Sequence, residues 1–270
     1  MRNFKATFGL AAVVCMFAVM VAPALAAEFT ASKLPNTCSE AEPCRTKGKG
    51  TGSPSEKHPE FTQLFKIGGF TIVCKKAISF AKTPAEGAFT TTSSSTFSTE
   101  VKFAECLTEA KYGSFTSGTR TVFNGGKPVK FVYHTNGFAE LGSGETEQAV
   151  EIGGTETSFK LAGKVCTINL PPQTVPVNAV KKPEGEYSAA TYSNEEAEVP
   201  EKLMKRFPAG FQNKLVVANT FKGMKYTYES GQCVGEGGFE EGAKTVEGHS
   251  ASYTGTIEEE VPGGNLGFVE

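Results

Sequence analysis

The sequence predicts an all-β protein: an antiparallel β-sandwich or barrel of two related halves, with one short helix inserted in the second half. Two observations carry this prediction. Short runs rich in Phe, Val and Thr are separated by Gly, Asn and Pro turn signals about a dozen residues apart, the spacing of hairpin-connected strands. In addition, a strand pattern that ends in a cysteine, 65–74, has an echo at 159–166. Each is followed by a second strand pattern that runs to a further cysteine, Cys106 or Cys233.

Residues 1–26 have the three parts of a secretory signal peptide. A positive start, Arg2 and Lys5, precedes an apolar run from Phe8 to Val21, and Ala24-Leu25-Ala26 is a small-residue cleavage site. The run is shorter than the ~20 residues that a membrane-spanning helix needs. We therefore expect cleavage after the last of these alanines, a secreted or cell-surface location, and no transmembrane span in the mature chain.

The segment from 27 to 60 is polar and irregular, and we predict that it is flexible. Its Gly-, Ser- and Lys-rich stretch, 46–55, has the composition of a linker. Cys38 and Cys44 lie just before this stretch and would close a small loop. We therefore expect the segment to be a tether in front of the β domain.

The predicted β domain occupies residues 61–270, with related halves at about 61–118 and 119–270. The turn signal Asn124-Gly125-Gly126-Lys127-Pro128 predicts a hairpin between strands at 119–123 and 129–133. The one helical pattern, 200–210, begins with a proline suited to a first helical turn and ends with Pro-Ala-Gly. This insert explains why the second pair of cysteines is more widely spaced than the first.

Of the 7 cysteines, 6 lie after the signal peptide, and an even number in an exported chain indicates disulfides. Six cysteines allow many pairings, and sequence alone does not choose among them. The echoed strands favour a Cys74–Cys106 pair and a Cys166–Cys233 pair. The remaining pair, Cys38–Cys44, would close the local loop. A zinc site is the weaker alternative, because the chain has no C-x-x-C motif and the export route is oxidising.

Composition argues against several classes of function. The formal net charge is −2 with no basic block, which argues against a nucleic-acid partner. All 29 acidic residues are glutamates. The chain therefore cannot form an aspartic-protease dyad, an EF-hand calcium loop or the commonest catalytic triad, Ser-His-Asp, since each of these sites requires aspartate. The chain also contains no tryptophan, which is the usual platform for stacking on sugars.

Motifs for catalysis, cofactors and metals are missing from the sequence. It contains no G-x-S-x-G elbow, P-loop, G-x-G-x-x-G or H-E-x-x-H. The histidines His58, His134 and His249 are better explained as polar residues in the tail or beside turns than as general bases. Ser79 matches the start of an S-x-x-K motif whose companion motifs are absent, and the glutamates of the run 258–260 would alternate between strand faces. We predict no catalytic residue, no cofactor and no metal.

The strand-to-cysteine frames and the A-x-A signal resemble secreted, uncharacterised, β-rich, disulfide-bonded proteins of actinobacterial type. The likeness lies in Val73-Cys74 with Phe103-Ala104-Glu105-Cys106, and in Val165-Cys166-Thr167-Ile168. This resemblance implies an exported all-β protein and carries no activity with it.

The expected function is that of a secreted or cell-surface, non-catalytic β protein that acts by binding or display. Its partner would be a protein, a cell-wall component or a small molecule, and not a nucleic acid. Two alternatives stay open. One is a carrier of a small apolar ligand, with a Phe-lined cavity of ~300 Å³ or more in a β-barrel. The other is a secreted hydrolase in which His134 or His249 acts with two glutamates and a serine.

Overall fold

The computed structural model describes residues 27–33, 38–54, 59–81, 88–112, 115–135, 148–161, 164–178, 188–196, 213–230 and 244–269. Within these ranges the chain forms 16 β-strands, all paired antiparallel, and one 3-10 turn, which confirms the predicted all-β fold. The helix predicted at 200–210 lies outside the described residues. No helix in the described part of the chain has the length and apolar character that a membrane crossing requires.

The strand bounds are β1 Glu28–Lys33, β2 Lys47–Thr51, β3 Gln63–Ile67, β4 Phe70–Phe80, β5 Ser93–Ser94, β6 Thr96–Tyr112, β7 Phe115–Thr121, β8 Val129–His134, β9 Gln148–Ile152, β10 Thr155–Leu161, β11 Lys164–Leu170, β12 Gln173–Val177, β13 Ala189–Glu196, β14 Asn213–Ser230, β15 Lys244–Glu260 and β16 Gly264–Val269. The 3-10 turn, Phe123–Gly126, lies at the predicted Asn-Gly-Gly turn, but the predicted hairpin is wrong: within the described residues, β7 pairs with β6, and β8 pairs with β6 and β9. Residues Asn124 and Gly125 both have positive φ there, the conformation that Asn and Gly tolerate best.

The strands form one small and one large sheet. The small sheet has three strands in the order β16-β1-β5. The large sheet has 13 strands, with the main path β10-β11-β14-β15-β2-β4-β6-β8-β9-β12, and β3, β7 and β13 pair beside this path. Neighbours in this order are often far apart in the chain, so most of the ladder is built from long-range pairings.

Four long strands, β4, β6, β14 and β15, change neighbours along their length. The first part of β6 pairs with β8 and its second part with β7. In the same way β14 pairs first with β13 and then with β11. Both β4 and β15 pair with β3 through one part of their length and with β2 through another. Each long strand therefore pairs with one short strand through one part of its length and with a different short strand through another part.

The segment 27–60 contributes strands to both sheets, which corrects the expectation of a flexible linker. Strand β2 lies in the large sheet between β15 and β4, and β1 lies in the small sheet between β16 and β5. A Cβ added to Gly48 would lie 2.5 Å from Ser79 Oγ, and one added to Gly50 would lie 2.6 Å from Gln63 Nε2. These glycines are therefore required by close packing, and composition alone does not separate that cause from flexibility.

The two predicted halves are not separate units, because strands of the first half pair directly with strands of the second in one sheet, β3 with β15 and β6 with β8. The boundary between 118 and 119 falls inside β7, which corrects the predicted division. The echoed segments, 65–74 and 159–166, are not the single strands that the sequence predicts: each spans parts of two paired strands, and the two hairpins are equivalent. Ile67 of β3 pairs with Phe70 of β4, and Leu161 of β10 pairs with Lys164 of β11. The origin of the two hairpins by duplication stays a prediction.

Two of the three predicted disulfides are confirmed. Cys74 and Cys106 are directly opposed on β4 and β6, with their Cα atoms 4.0 Å apart, and are bonded to each other. Cys38 and Cys44 close the local loop. Cys166 is also disulfide-bonded, and its predicted partner, Cys233, lies outside the described residues.

Aromatic rings in contact fill the interior between the strands. The ring of Phe65 stacks on Tyr253 with centroids 4.6 Å apart and meets Phe103 edge-on at 5.1 Å. Tyr253 in turn contacts Phe131 at 5.8 Å and Phe221 at 5.7 Å. Further rings continue this network to the small sheet, namely Tyr133, Phe97, Phe29, Tyr192 and Phe268. The abundant phenylalanine of the composition is therefore mostly core, as the β pattern predicts.

Side-chain amides connect strands where the backbone ladder is interrupted. Gln173 Nε2 donates to Lys225 O at 3.1 Å, and Lys225 N donates to Gln173 Oε1 at 2.8 Å. Asn194 makes the same two-bond contact with the main chain of Phe268, at 2.8 Å for each bond. The glutamine thus ties β12, at one end of the main path, to β14 beside an irregularity in the β14–β15 pairing.

The Gln173→Ala variant is expected to lower the free energy of unfolding by about 1–2 kcal/mol, because the side chain loses its two hydrogen bonds to Lys225 and a third, longer one to Pro171 O. Urea denaturation measures the change. Thr174→Ala, at the exposed neighbouring position, is the matched control and should alter stability by less than about 0.5 kcal/mol. Equal stability of the two variants would show that the amide contact does not hold β12 in place.

Candidate functional site

The outer side of the large sheet carries a cleft of about 440 Å³ where β2, β14 and β15 run together. We call it the β2–β15 cleft. Its lining combines side chains of both charges with one aromatic ring: Lys47, Gly48, Lys49, Phe80, Lys214, Glu258, Glu259 and Glu260. These residues come from four strands, and the antiparallel pairing brings them together.

Alternation along β15 separates the three consecutive glutamates between the two faces of the sheet. Glu258 and Glu260 are partly exposed and form ion pairs with the lysines of the cleft. Glu259 is only 1% exposed and points into the interior. Glu259 also borders the cleft, but its side chain is directed to the opposite face of β15 from those of Glu258 and Glu260.

The lysines of the cleft differ in how tightly they are paired. Lys214 Nζ lies 3.0 Å from Glu258 and 3.2 Å from Glu195, and these hydrogen-bonded partners raise the pKa of Lys214 because they stabilise its ammonium form. Lys47 Nζ lies 2.8 Å from Glu260. Lys49 Nζ is 3.9 Å from Glu258, and its side chain is 74% exposed. Lys49 is thus the cation of the cleft best placed to meet a ligand.

An apolar edge completes the cleft. Phe80 stands opposite Lys47 in the β2–β4 pairing and is 58% exposed. Ile78 stands opposite Lys49 in the same pairing and is also exposed. An exposed aromatic ring beside charged side chains is typical of protein interaction surfaces, where apolar contact supplies affinity and charge supplies orientation.

The interior carboxyl of Glu259 is held by hydroxyl groups from two strands. Ser79 Oγ donates to Oε1 at 2.6 Å and Thr99 Oγ1 donates to the same oxygen at 2.7 Å. The Thr46 hydroxyl is near enough to stabilise the ionised form, but neither it nor Glu259 Oε2 completes a hydrogen bond within the described residues. Burial raises the pKa of Glu259 to about 7, and the three hydroxyls only partly oppose this effect of burial.

The residues that the sequence singled out as possible catalytic groups do not converge. His134 Nε2 lies 2.7 Å from Glu151 Oε1 in a pair that bridges β8 and β9. His249 is exposed on β15, Ser79 faces the interior, and His58 lies outside the described residues. Across the ranges that the structure describes, no three His, Cys, Asp or Glu side chains form a group that could hold a metal.

Sequence reasoning placed neighbouring glutamates of the run 258–260 on opposite strand faces, but it did not identify Glu259 as the one that is buried. The period-two pattern contained a usable signal. Tyr253, Gly255, Ile257 and Val261 all face the interior, and Glu259 falls in the same series of alternate positions. A charged residue in register with an apolar series indicates either a buried site or an end to the buried face.

Comparison with protein-family models, with curated proteins and with solved structures found no match to this chain. The functional inference therefore rests on the side chains of the cleft and of the interior.

Proposed function

We propose that the chain is a secreted or cell-surface, non-catalytic β protein that acts by binding, and that the β2–β15 cleft is its contact surface. The cleft itself carries the proposal. It presents an exposed lysine, Lys49, and an exposed ring, Phe80, on paired strands, one of which, β4, is cross-linked to β6. Groups that the strand pairing already holds in position lose less conformational freedom on binding.

The disulfides support export. Structural disulfides form and persist in oxidising compartments outside the cytosol. The protein has the Cys38–Cys44 and Cys74–Cys106 bonds, and the sequence begins with a signal-peptide pattern. Export would place the cleft where a protein, a cell-wall component or a small molecule can reach it.

The positions of the titratable groups favour binding over hydrolysis. The carboxyl best suited to proton transfer near neutral pH, Glu259, faces the interior and not the cleft. The His134–Glu151 contact is a hydrogen bond between neighbouring strands, a common structural role for such residues. The hydrolase alternative would need these groups and a nucleophile on one surface.

The packed interior favours surface binding over the carriage of an apolar ligand. A carrier needs an apolar cavity of ~300 Å³ or more. Here the rings of Phe65, Phe103, Phe131 and Tyr253 pack against each other at centroid distances of 4.6–6.4 Å. The described aromatic side chains thus contact one another in the space that a ligand of that size would require.

The chemistry of the cleft suggests the kind of group that it binds. Lys49 offers an ammonium group whose nearest carboxylate is shared with Lys214, and Phe80 offers an apolar face. A partner that presents an anionic group beside an apolar group would satisfy both. The remaining ion pairs, Lys47–Glu260 and Lys214–Glu195, would frame such a ligand.

Site-specific photo-crosslinking tests the proposal. A benzophenone amino acid replaces Phe80 in the full mature chain, or replaces Val122 as the control, since Val122 is 63% exposed on another part of the surface. Each protein is irradiated with the cell-surface fraction and culture supernatant of the native host. We expect a discrete adduct at position 80, absent at position 122 and weakened by Lys49→Glu. Equal crosslinking at both positions would contradict the cleft as the contact surface.

A further inference from the structure

The buried carboxyl and the proposed contact surface share β2. Glu259 stands directly opposite Gly48 in the β15–β2 pairing. A Cβ added to Gly48 would lie 2.6 Å from Glu259 Cδ, so the carboxyl packs directly against the β2 backbone. The flanking residues of β2, Lys47 and Lys49, project to the other face and line the cleft. Any change at the carboxyl therefore acts on the strand that carries two of the three cleft lysines.

Neutral groups surround Glu259 on the inner face. Ser79 of β4, Thr99 of β6 and Thr46 before β2 supply hydroxyls, and Leu215 is its cross-strand neighbour on β14. Tyr133 of β8 is the titratable group on this side, and burial raises its pKa well above its usual range. No cation of the described residues contributes to the pKa of Glu259. The charged groups near it belong to the outer face, namely Lys47, Lys49, Lys214, Glu258 and Glu260.

The two protonation states of this carboxyl have different consequences for β2. When protonated, Glu259 is neutral, accepts from Ser79 and Thr99, and has a proton to donate toward the unpaired Thr46 hydroxyl. When ionised, it places a negative charge in an interior without a cation, which is costly. Movement of β2 away from β15 would relieve that cost by admitting water.

β2 is the shortest of the strands around Glu259. It has five residues, and it pairs with β15 through all five and with β4 through three, Lys47, Gly48 and Lys49. In contrast, β15 has 17 residues and pairs with β14 along most of its length. Local opening of β2 therefore breaks fewer contacts than separation of β15 from β14.

We propose that Glu259 is a pH-dependent gate for the β2–β15 cleft: its protonated form holds β2 in place and keeps the cleft formed, and its ionised form loosens β2. This inference rests on the proposed function of the cleft as a contact surface. It predicts binding that is strongest in mildly acidic surroundings and weaker above neutral pH.

Hydrogen exchange measured by mass spectrometry tests the gate without a partner. After correction for the intrinsic pH dependence of exchange, we expect protection of the β2 amides in the wild-type chain to fall about tenfold or more between pH 5.5 and 8. Strand β9, Gln148–Ile152, is the internal reference and should change little. Glu259→Gln should remove the pH dependence of β2, and Ser79→Ala should enlarge it, because that hydroxyl stabilises the ionised form.

Two results would overturn the gate: protection of β2 that does not depend on pH, or the same pH dependence in the wild type and in Glu259→Gln. The crosslinking experiment at position 80, repeated at pH 5.5 and 8, separates this inference from the proposed function. If no adduct forms at either pH, the contact surface is refuted, and the pH dependence of β2 hydrogen exchange is still a valid test of the gate. An adduct of equal yield at both values, with pH-dependent exchange of β2, refutes the regulation of binding.

Discussion

Glu259→Gln is expected to make the protein about 3 kcal/mol more stable than the wild type at pH 8 and to leave stability nearly unchanged at pH 4.5. Burial raises the pKa of Glu259 from its usual 4.5 to about 7. A carboxyl with a raised pKa in the folded state contributes stability that is fully present below pH 4.5 and is lost as pH rises to about 7. The expected difference follows because a pKa that is higher by one in the folded than in the unfolded chain corresponds to about 1.4 kcal/mol.

Urea denaturation between pH 4.5 and 8.5 measures this effect. Glu260→Gln is the matched control, because Glu260 is the adjacent residue, faces solvent and pairs with Lys47. The control should keep the pH dependence of the wild type and change stability by less than about 1 kcal/mol. If Glu259→Gln and Glu260→Gln showed the same pH profile, the interior carboxyl would not be the group that titrates.

Replacement of both Cys74 and Cys106 by alanine is expected to lower the free energy of unfolding by about 3–4 kcal/mol. The disulfide closes a long loop, with a sequence separation of 32. The chain-entropy relation gives about 3.7 kcal/mol for a loop of this size, because the bond restricts the unfolded chain. The bond also joins β4 and β6, so its loss would first loosen the strands that carry Phe80, Ser79 and Thr99.

The Cys38–Cys44 bond supplies a matched comparison. Its sequence separation is 6, and the same relation gives about 2.4 kcal/mol for its removal. Chemical denaturation of both double-alanine variants under non-reducing conditions measures the two losses. A larger loss from Cys38 and Cys44 would mean that native-state packing, and not the unfolded chain, dominates the effect of these bonds.

Local patterns were sufficient to predict many of the strands and part of the cross-linking. Alternation of apolar residues acts over a few residues, so it indicates strands such as β6 and β8 without knowledge of the rest of the fold. It did not give the strand pairing, since the pattern at 65–74 predicts one strand and the structure has the β3–β4 hairpin there. The pairing of Cys74 with Cys106 followed from the same frames, because each cysteine lies in a strand and the strands are close in sequence.

The position of β2 was not predictable in this way. Its glycines have the composition of a linker, but Gly50 pairs with Ile257, more than two hundred residues away in the chain. No pattern within a few residues can predict a strand partner at that distance in the chain. The cleft could not be predicted from local patterns for the same reason. Its residues Lys49, Phe80, Lys214 and Glu258 come together only when four strands that are distant in sequence pair in register.

By itself, the sequence determined the all-β class and the lack of known catalytic motifs, and it favoured the two confirmed disulfides, since these depend on short-range alternation, strand spacing and residue types. Only the tertiary structure decided that Lys47–Thr51 is a strand inside the sheet, that a charged cleft lies over it and that Glu259 is buried beneath it. The physical reason is that the burial of a residue and the pairing of its charge depend on its neighbours in space. A glutamate is solvated or buried in the core according to which strands pack beside it, and in this chain those strands are distant in sequence.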